Sequence, residues 1–553
     1  MSSTIKVYIT NLKRFIEIEG GSTLHDVARQ LGPELGIDPI CAHVNNKNEP
    51  LSFPIYASKD IEFLDIKSPS GRRTYVRSLC MMLYYVVNKL YPQGRLRIEH
   101  SISHGYFCRI EYVENIDTEL IMAEMRKLVE QDMPFIRHEG RTNEVCDIFT
   151  RQGLDDKVKL LKSVHELYTV FYTLGDLADI YYGCLAPSTR HIPVFSLSHY
   201  EDGLLLCAFD PADPSRPYDI ICQHKMFKAF HENFTFNKIV GVSNVGQLNE
   251  AVDANKTTQL INVAEALHNK NIAALADQIT ERYHNGGARV ILIAGPSSSG
   301  KTTTTKRLAV QLMTNFLRPV TISLDNYYLN IDQRPVDEHG EIDYESIYAL
   351  DLRRLNDDVR DILDGKVVDT PIYSFDLGRR INKTIKVHLG PGDVMILEGI
   401  HGLNPELIPS IPDNAKFRIY VSALTTLAMD NHNWVPTTDN RLLRRIVRDY
   451  KYRRTSALES LQRWPSVRRG EEKWIFPFQE YADATFNSSL IFEMGVMRDF
   501  ADKVLKDVTS DKPEYAIAYR LRKFLSYFRP IPMEMIPPTS LLREFLGGSS
   551  FHY

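Results

Sequence analysis

The chain has 553 residues, more than one hydrophobic core serves, so about three or four domains are expected. Its 66 Lys plus Arg against 70 Asp plus Glu leave a formal charge of -4, which supplies no overall drive toward nucleic acid. The seven cysteines are scattered without a CxxC pair, and neither a signal-peptide core at Met1–Val7 nor a run of roughly eighteen apolar residues occurs, so a disulfide framework and a membrane span are excluded and a soluble cytoplasmic protein is expected.

The first stretch, residues 1–67, alternates at Ile5-Lys6-Val7-Tyr8-Ile9, continues in Phe15-Ile16-Glu17-Ile18, opens a capped helix at Ser22-Thr23-Leu24-His25-Asp26-Val27, and closes with the strand Ile61-Glu62-Phe63-Leu64. This arrangement resembles the TGS domain, a β-grasp module of threonyl-tRNA synthetases and some GTPases that is linked to RNA or regulatory-ligand contacts.

Residues 68–240 hold an apolar run from Leu79 to Val87 that reads as a buried helix. Arg77-Ser78-Leu79-Cys80-Met81 through Leu90-Tyr91-Pro92, with Tyr182-Gly183-Cys184-Leu185-Ala186-Pro187-Ser188, resembles the α+β editing domain of threonyl-tRNA synthetases. That family places HxxxH and CxxxH there. Here the positions are Arg77, Met81, Cys184 and Ser188; Arg has no lone pair to offer and Met is a poor zinc ligand, so the metal site is expected to be lost. His100 and His104 have i, i+4 spacing but flank strand-like sequence, where four residues span roughly 13 Å, too far for one metal. A Pro-rich turn at Asp210–Pro217 interrupts the pattern, and residues 241–284 form a connector with a helix from Val263 to Tyr283.

The chain's chemistry is concentrated in residues 285–510. Gly295-Pro296-Ser297-Ser298-Ser299-Gly300-Lys301-Thr302 lies between the apolar run Val290–Ala294 and a helical pattern, with the spacing of a P-loop. Its glycines permit tight turning, its backbone N–H groups and helix N-terminus suit phosphate oxygens, Lys301 can reach the β/γ-phosphates and the Thr302 hydroxyl can ligate Mg²⁺. Thr303 completes the ATP-binding set. Further apolar strands at Val320–Leu324, Val394–Leu397, Phe417–Val421 and Ser489–Phe492 alternate with helical patterns, predicting a doubly wound parallel sheet whose ligands bind at the carboxyl ends, where Asp325 and Glu398 lie.

The P-loop, Ser323-Leu324-Asp325-Asn326-Tyr327-Tyr328, Ile342-Asp343-Tyr344, Pro371-Ile372-Tyr373-Ser374-Phe375, Leu397-Glu398-Gly399-Ile400 and Arg441–Asp449 together resemble the uridine kinase and phosphoribulokinase family. The resemblance implies ATP and Mg²⁺ as cofactors and Asp325 as the base that deprotonates the acceptor hydroxyl. It further implies Thr302 and Glu398 as metal-holding residues, and Arg445, Arg448 and Arg453, with Lys301, as charges on the transferring phosphoryl group. Asp343, Tyr373, Phe375 and Arg380, with Asp325 and Arg445, become acceptor contacts. The family's base-reading His falls at Gly378, followed by Arg379; a lid Arg becomes Thr455 or Ser456, and a Gln becomes Trp464. The expected function is transfer to the 5′-hydroxyl of a nucleoside. The alternatives are a nucleotide-switched RNA- or translation-associated protein, or a kinase of a sugar phosphate or other small alcohol. A helical tail, residues 511–553, with Ile517, Leu521 and Phe524 on one face, is expected to pack on the kinase or on a second subunit.

Overall fold

The computed structural model describes residues 4–337, 340–375 and 377–552. In the first unit the strands Thr4–Ile9 and Arg14–Glu19 form a hairpin, and Asp60–Leu64 runs parallel to Thr4–Ile9 and antiparallel to Cys41–Val44. One helix, Leu24–Leu31, covers this five-stranded sheet, opened by a Thr23/Asp26 capping box. Its apolar face (Leu24, Val27, Leu31) meets Val7, Ile9 and Phe63, all buried.

The second unit is built on the helix Pro69–Leu90, whose residues 78–84 are wholly buried. A sheet containing Phe195–Tyr200, Gly203–Asp210, Gly105–Glu111 and Arg95–Ile102, in that order, packs against it. The expected interruption at Asp210–Pro217 is instead a hairpin: Asp213–Pro217 pairs with Gly203–Asp210 as an edge strand, where missing proline N–H groups are tolerated. Arg77 donates to the Cys184 carbonyl at 3.4 Å, Met81 is buried in the core, and Ser188 bonds Asp132. His100 stacks on Phe230 at 3.8 Å and His104 on Tyr218 at 4.7 Å, each imidazole engaged by an aromatic ring.

In the third unit, whose elements are numbered here, five parallel strands lie in the order β2-β3-β1-β4-β5: β1 Val290–Ala294, β2 Arg318–Ser323, β3 Asp393–Glu398, β4 Lys416–Ser422 and β5 Ala484–Asn487. The fifth strand was expected at Ser489–Phe492. There the chain has already turned to enter the helix Glu493–Leu505, and Ile491 and Phe492 are buried against that helix's neighbours. Every residue of β1 is buried, as a central strand covered on both faces requires. Helix α1, Lys301–Thr314, follows β1; α2, Thr437–Tyr452, and α3, Ala457–Trp474, follow β4. The C-terminal helix Tyr515–Ser526 and the turn Arg543–Leu546 pack back onto this unit.

Candidate active site

Strand order reverses at β1, with β3 on one side and β4 on the other, and this is the crevice where parallel sheets bind ligands. The loop leaving β1 turns through two left-handed residues, Ser298 (φ 59°) and Gly300 (φ 85°), which point successive N–H groups inward. A Cβ at Gly300 would lie 2.7 Å from Leu541, so only glycine fits. The buried Ser298 and Ser299 hydroxyls have no hydrogen-bond partner among the described residues. Orphaned hydroxyls beside a helix N-terminus suit polyphosphate oxygens. Lys301 bends over the loop to the Pro296 carbonyl at 3.3 Å, leaving its ammonium at the cradle's mouth.

Two carboxylates stand at the ends of this cradle. Glu471 of α3, paired with Arg441 of α2, accepts from the Ser297 N–H at 3.3 Å, and Arg441 donates to the Ser297 carbonyl at 3.0 Å. Glu544 accepts from the N–H and hydroxyl of Thr303.

Glu398 closes β3, and Thr302 lies in the first turn of α1. Burial pushes the Glu398 carboxyl up to about 7, against the pull of Lys301. A hydroxyl and a carboxylate are oxygen donors of the kind Mg²⁺ takes, and the described residues hold no larger ligand cluster, so phosphate and water would complete its shell.

Asp325 sits in the short turn Leu324–Tyr327 after β2. Burial raises its pKa, and Lys301, Arg453, Arg448 and Arg334 oppose that rise, so a poised carboxylate faces four cations. On the acceptor side, Tyr328, Tyr373 and Phe375 form an aromatic corner with centroids 5.3–6.2 Å apart. Arg334 fills it: its guanidinium lies 4.5 Å from Tyr328 and 5.1 Å from Tyr373, and donates to the Tyr373 hydroxyl at 2.6 Å. Asp343 accepts from the Trp474 indole at 3.3 Å. Burial, with Glu471 adding to it, pushes Glu345 up to about 7. His401 is buried beside the Ser346 backbone, and burial pulls its pKa down to about 3.

Arg380, expected among the acceptor contacts, is engaged within the fold. Arg380 directs its terminal nitrogens to Asp351 at 3.0 Å and the Tyr327 carbonyl at 2.8 Å, which makes it a strut beneath the Asp325 turn. Gly378, where a histidine was looked for, has φ 62°, and a Cβ there would meet Ile331 at 2.4 Å.

The arginines converge on one buried carboxylate. Asp449 of α2 lies 3.4 Å from Arg445, 2.8 Å from Arg448 and 3.6 Å from Arg453. Repulsion from Arg448 pulls the Arg453 pKa down. Arg445 also donates to the Ser297 hydroxyl at 2.9 Å, joining this cluster to the cradle. The substituted lid positions have structural uses: Ser456 caps α3 through a box with Glu459, and Trp464 lies under the Arg441 guanidinium at 5.4 Å.

Sequence reasoning missed Glu471, Asp449, Arg334, Glu345, His401 and Glu544. Only Asp449 carried a local signal, standing four residues from both Arg445 and Arg453.

Residues 290–491 match the Phosphoribulokinase / Uridine kinase family. A uridine kinase of Macrococcus caseolyticus (strain JCSC5402) is 33% identical over 196 residues, covering 35% of this chain and 85% of that protein. The N-terminal region is similar to threonine–tRNA ligases: that of Clostridioides difficile (strain 630) is 28% identical over 185 residues, 33% of this chain, and the match spans only 29% of the ligase's length. A solved structure described as a possible uridine kinase from Bacillus stearothermophilus is 16% identical, covers 36% of this chain and 89% of its own, and has a TM-score of 0.25.

Proposed function

Because the chain belongs, through residues 290–491, to the Phosphoribulokinase / Uridine kinase family, we propose that it transfers the γ-phosphoryl group of ATP to the 5′-hydroxyl of a nucleoside. The observation that carries this reading is Asp325, a half-buried carboxylate at the carboxyl end of the sheet within the field of Lys301. In the reaction Asp325 takes the proton of the attacking hydroxyl, an assistance worth about 10²–10⁴-fold. The cradle amides and Lys301 hold the polyphosphate, while Arg445, Arg448 and Arg453 supply positive charge where it builds on the moving group. Mg²⁺, held by Thr302 and Glu398, would neutralise the phosphate oxygens. Asp343 and the aromatic corner orient the acceptor.

Arg334 favours a second reading. With a guanidinium occupying the corner between Tyr328 and Tyr373, and no carboxylate within 4.0 Å of it among the described residues, an acceptor bearing its own phosphate would be matched better than a neutral base. The experiment is to incubate the purified chain with ATP, Mg²⁺ and a panel of nucleosides and sugar phosphates, and to follow ADP. Nucleoside-dependent ADP release, abolished in Lys301→Ala, is expected. Release with sugar phosphates alone selects the second reading, and no acceptor-dependent release in any case refutes the kinase.

A further inference from the structure

The segment after the helix Tyr515–Ser526 returns through Pro530, Pro532, Pro537 and Pro538 and ends against the cradle in the turn Arg543–Leu546. There the Glu544 carboxylate accepts from the Thr303 N–H at 3.1 Å and from the Thr303 hydroxyl at 2.7 Å. Thr303 is the third residue of α1, so its amide is one of the first-turn donors that a helix leaves without an internal partner. In a P-loop these donors serve phosphate. The carboxylate therefore makes, with two oxygen-seeking donors of the cradle, the contacts a phosphate oxygen would make.

The turn that carries it is firmly seated. Leu541 and Phe545 are fully buried in one cluster with Ile291, Leu308 and Leu312. Leu541 presses on Gly300, and Lys451 of α2 donates to the Leu546 carbonyl at 2.6 Å. The Arg444 guanidinium lies 5.1 Å from the Phe545 ring. Glu544 itself is only half-buried, and its charge reaches Glu398 across the site.

We propose that Glu544 sets the nucleotide affinity of the cradle by competing with a phosphate group for the Thr303 donors. Two anions cannot share one amide, so nucleotide entry turns the Glu544 side chain outward while Leu541 and Phe545 keep the backbone in place. The inference rests on the reading of residues 295–303 as a nucleotide site, and its test separates the two.

ATP binding to the full chain is measured by calorimetry, with Mg²⁺, for the unaltered protein, Glu544→Gln, Glu544→Ala and Lys301→Ala. Gln keeps an oxygen for Thr303 but no charge. Removing an anion from a partly buried helix N-terminus should tighten ATP binding roughly fivefold to thirtyfold in both Glu544 variants. The KM for ATP should fall while the KM for the acceptor stays put, and a melting temperature for Glu544→Gln within a degree or so of the parent would show that the fold is kept. ATP binding that is unchanged or weaker in Glu544→Gln overturns the competition. If no protein in the set binds ATP, or Lys301→Ala binds as tightly as the parent, the nucleotide-site reading fails and the competition with it.

Discussion

Asp449→Asn is the sharpest test of how the arginine cluster is held. The carboxylate is 5% exposed, and the Arg445 and Arg448 side chains beside it are 12% and 15% exposed, so both contacts lie largely out of water. Arg453, at 52% exposure, is screened and contributes little. Removing one partner of a buried pair costs about 3–5 kcal/mol, and because both arginines share the same carboxylate their losses do not add. A destabilisation of about 4 kcal/mol is expected. Trp464 and Trp474 lie within the kinase unit, but Trp434 packs on Tyr106 of the second unit with centroids 4.3 Å apart, so urea unfolding is followed by tryptophan fluorescence in a Trp434→Phe background, where the signal comes from the kinase unit. Inorganic triphosphate, which would supply the missing negative charge, should recover more stability in the variant than in the parent. A midpoint unmoved by the substitution, or an equal triphosphate effect in both proteins, would refute the view that Asp449 parks these cations for use on phosphate.

Asp325→Asn should leave ATP binding intact while lowering turnover about 10²–10⁴-fold, measured as acceptor-dependent ADP release; unchanged turnover removes the base assignment. Glu345, raised to about 7 from 4.5, binds a proton more tightly folded than unfolded, so its cost to stability grows as pH rises from 4.5 and is complete above 7. Glu345→Gln should therefore stabilise by about 3 kcal/mol at pH 8 and by almost nothing at pH 4.5; a pH-independent gain contradicts this. His100, pushed down to about 3 by burial, is neutral when folded and protonated when unfolded below pH 6.5. It thus removes about 2 kcal/mol at pH 5 relative to pH 8, and His100→Phe, in a pocket already lined by Phe107, Phe227, Phe230 and Phe234, should abolish that difference in thermal melts.

The cradle was legible because its requirements are local: residues that turn tightly, hydroxyls, and one lysine at fixed offsets between a strand and a helix. The parallel sheet was legible because buried central strands leave short apolar runs. The same signal misplaced β5, since Ser489–Phe492 is as apolar as a strand but is buried as the entry to a helix, and composition over four residues does not separate the two. Asp210–Pro217 misled in the opposite way, because proline forbids a central strand but not an edge strand with a single neighbour. The residues that bind the site together were not legible. Glu471 meets Ser297 from 174 residues away and Glu544 meets Thr303 from 241 away, and no local pattern marks a carboxylate destined for such a contact. Gly378 could be read as a departure, but the isoleucine that fills the space was visible only once Ile331 was placed beside it.

The N-terminal half is joined to the kinase through its charges as well as its apolar surface. Lys157, fully buried, bonds Asp179 of its own unit at 2.8 Å and Asp430 of the kinase at 2.7 Å. His432 bonds the second oxygen of Asp179 at 2.7 Å, and Tyr182 donates to Asp430 at 2.8 Å. Burial disfavours the Lys157 charge, yet Asp179 and Asp430 hold its pKa above the ordinary lysine value, so the group stays an ammonium that ties a carboxylate of its own unit to one across the interface. Leu160, Val245 and Leu248 share a core with Leu442, Leu443 and Ile446 of α2, and Arg520 clamps Asp439 in the first turn of the same helix. Asp430 and His432 lie just before α2 in sequence, and the next turns of α2 carry Arg441, Arg444, Arg445 and Arg448. The placement of the arginine helix over the cradle is therefore set jointly by the sheet beneath it and by the N-terminal half. Cutting the Lys157 network would leave Asp430 buried without its counter-charge at the root of the very helix that carries Arg441, Arg444, Arg445 and Arg448.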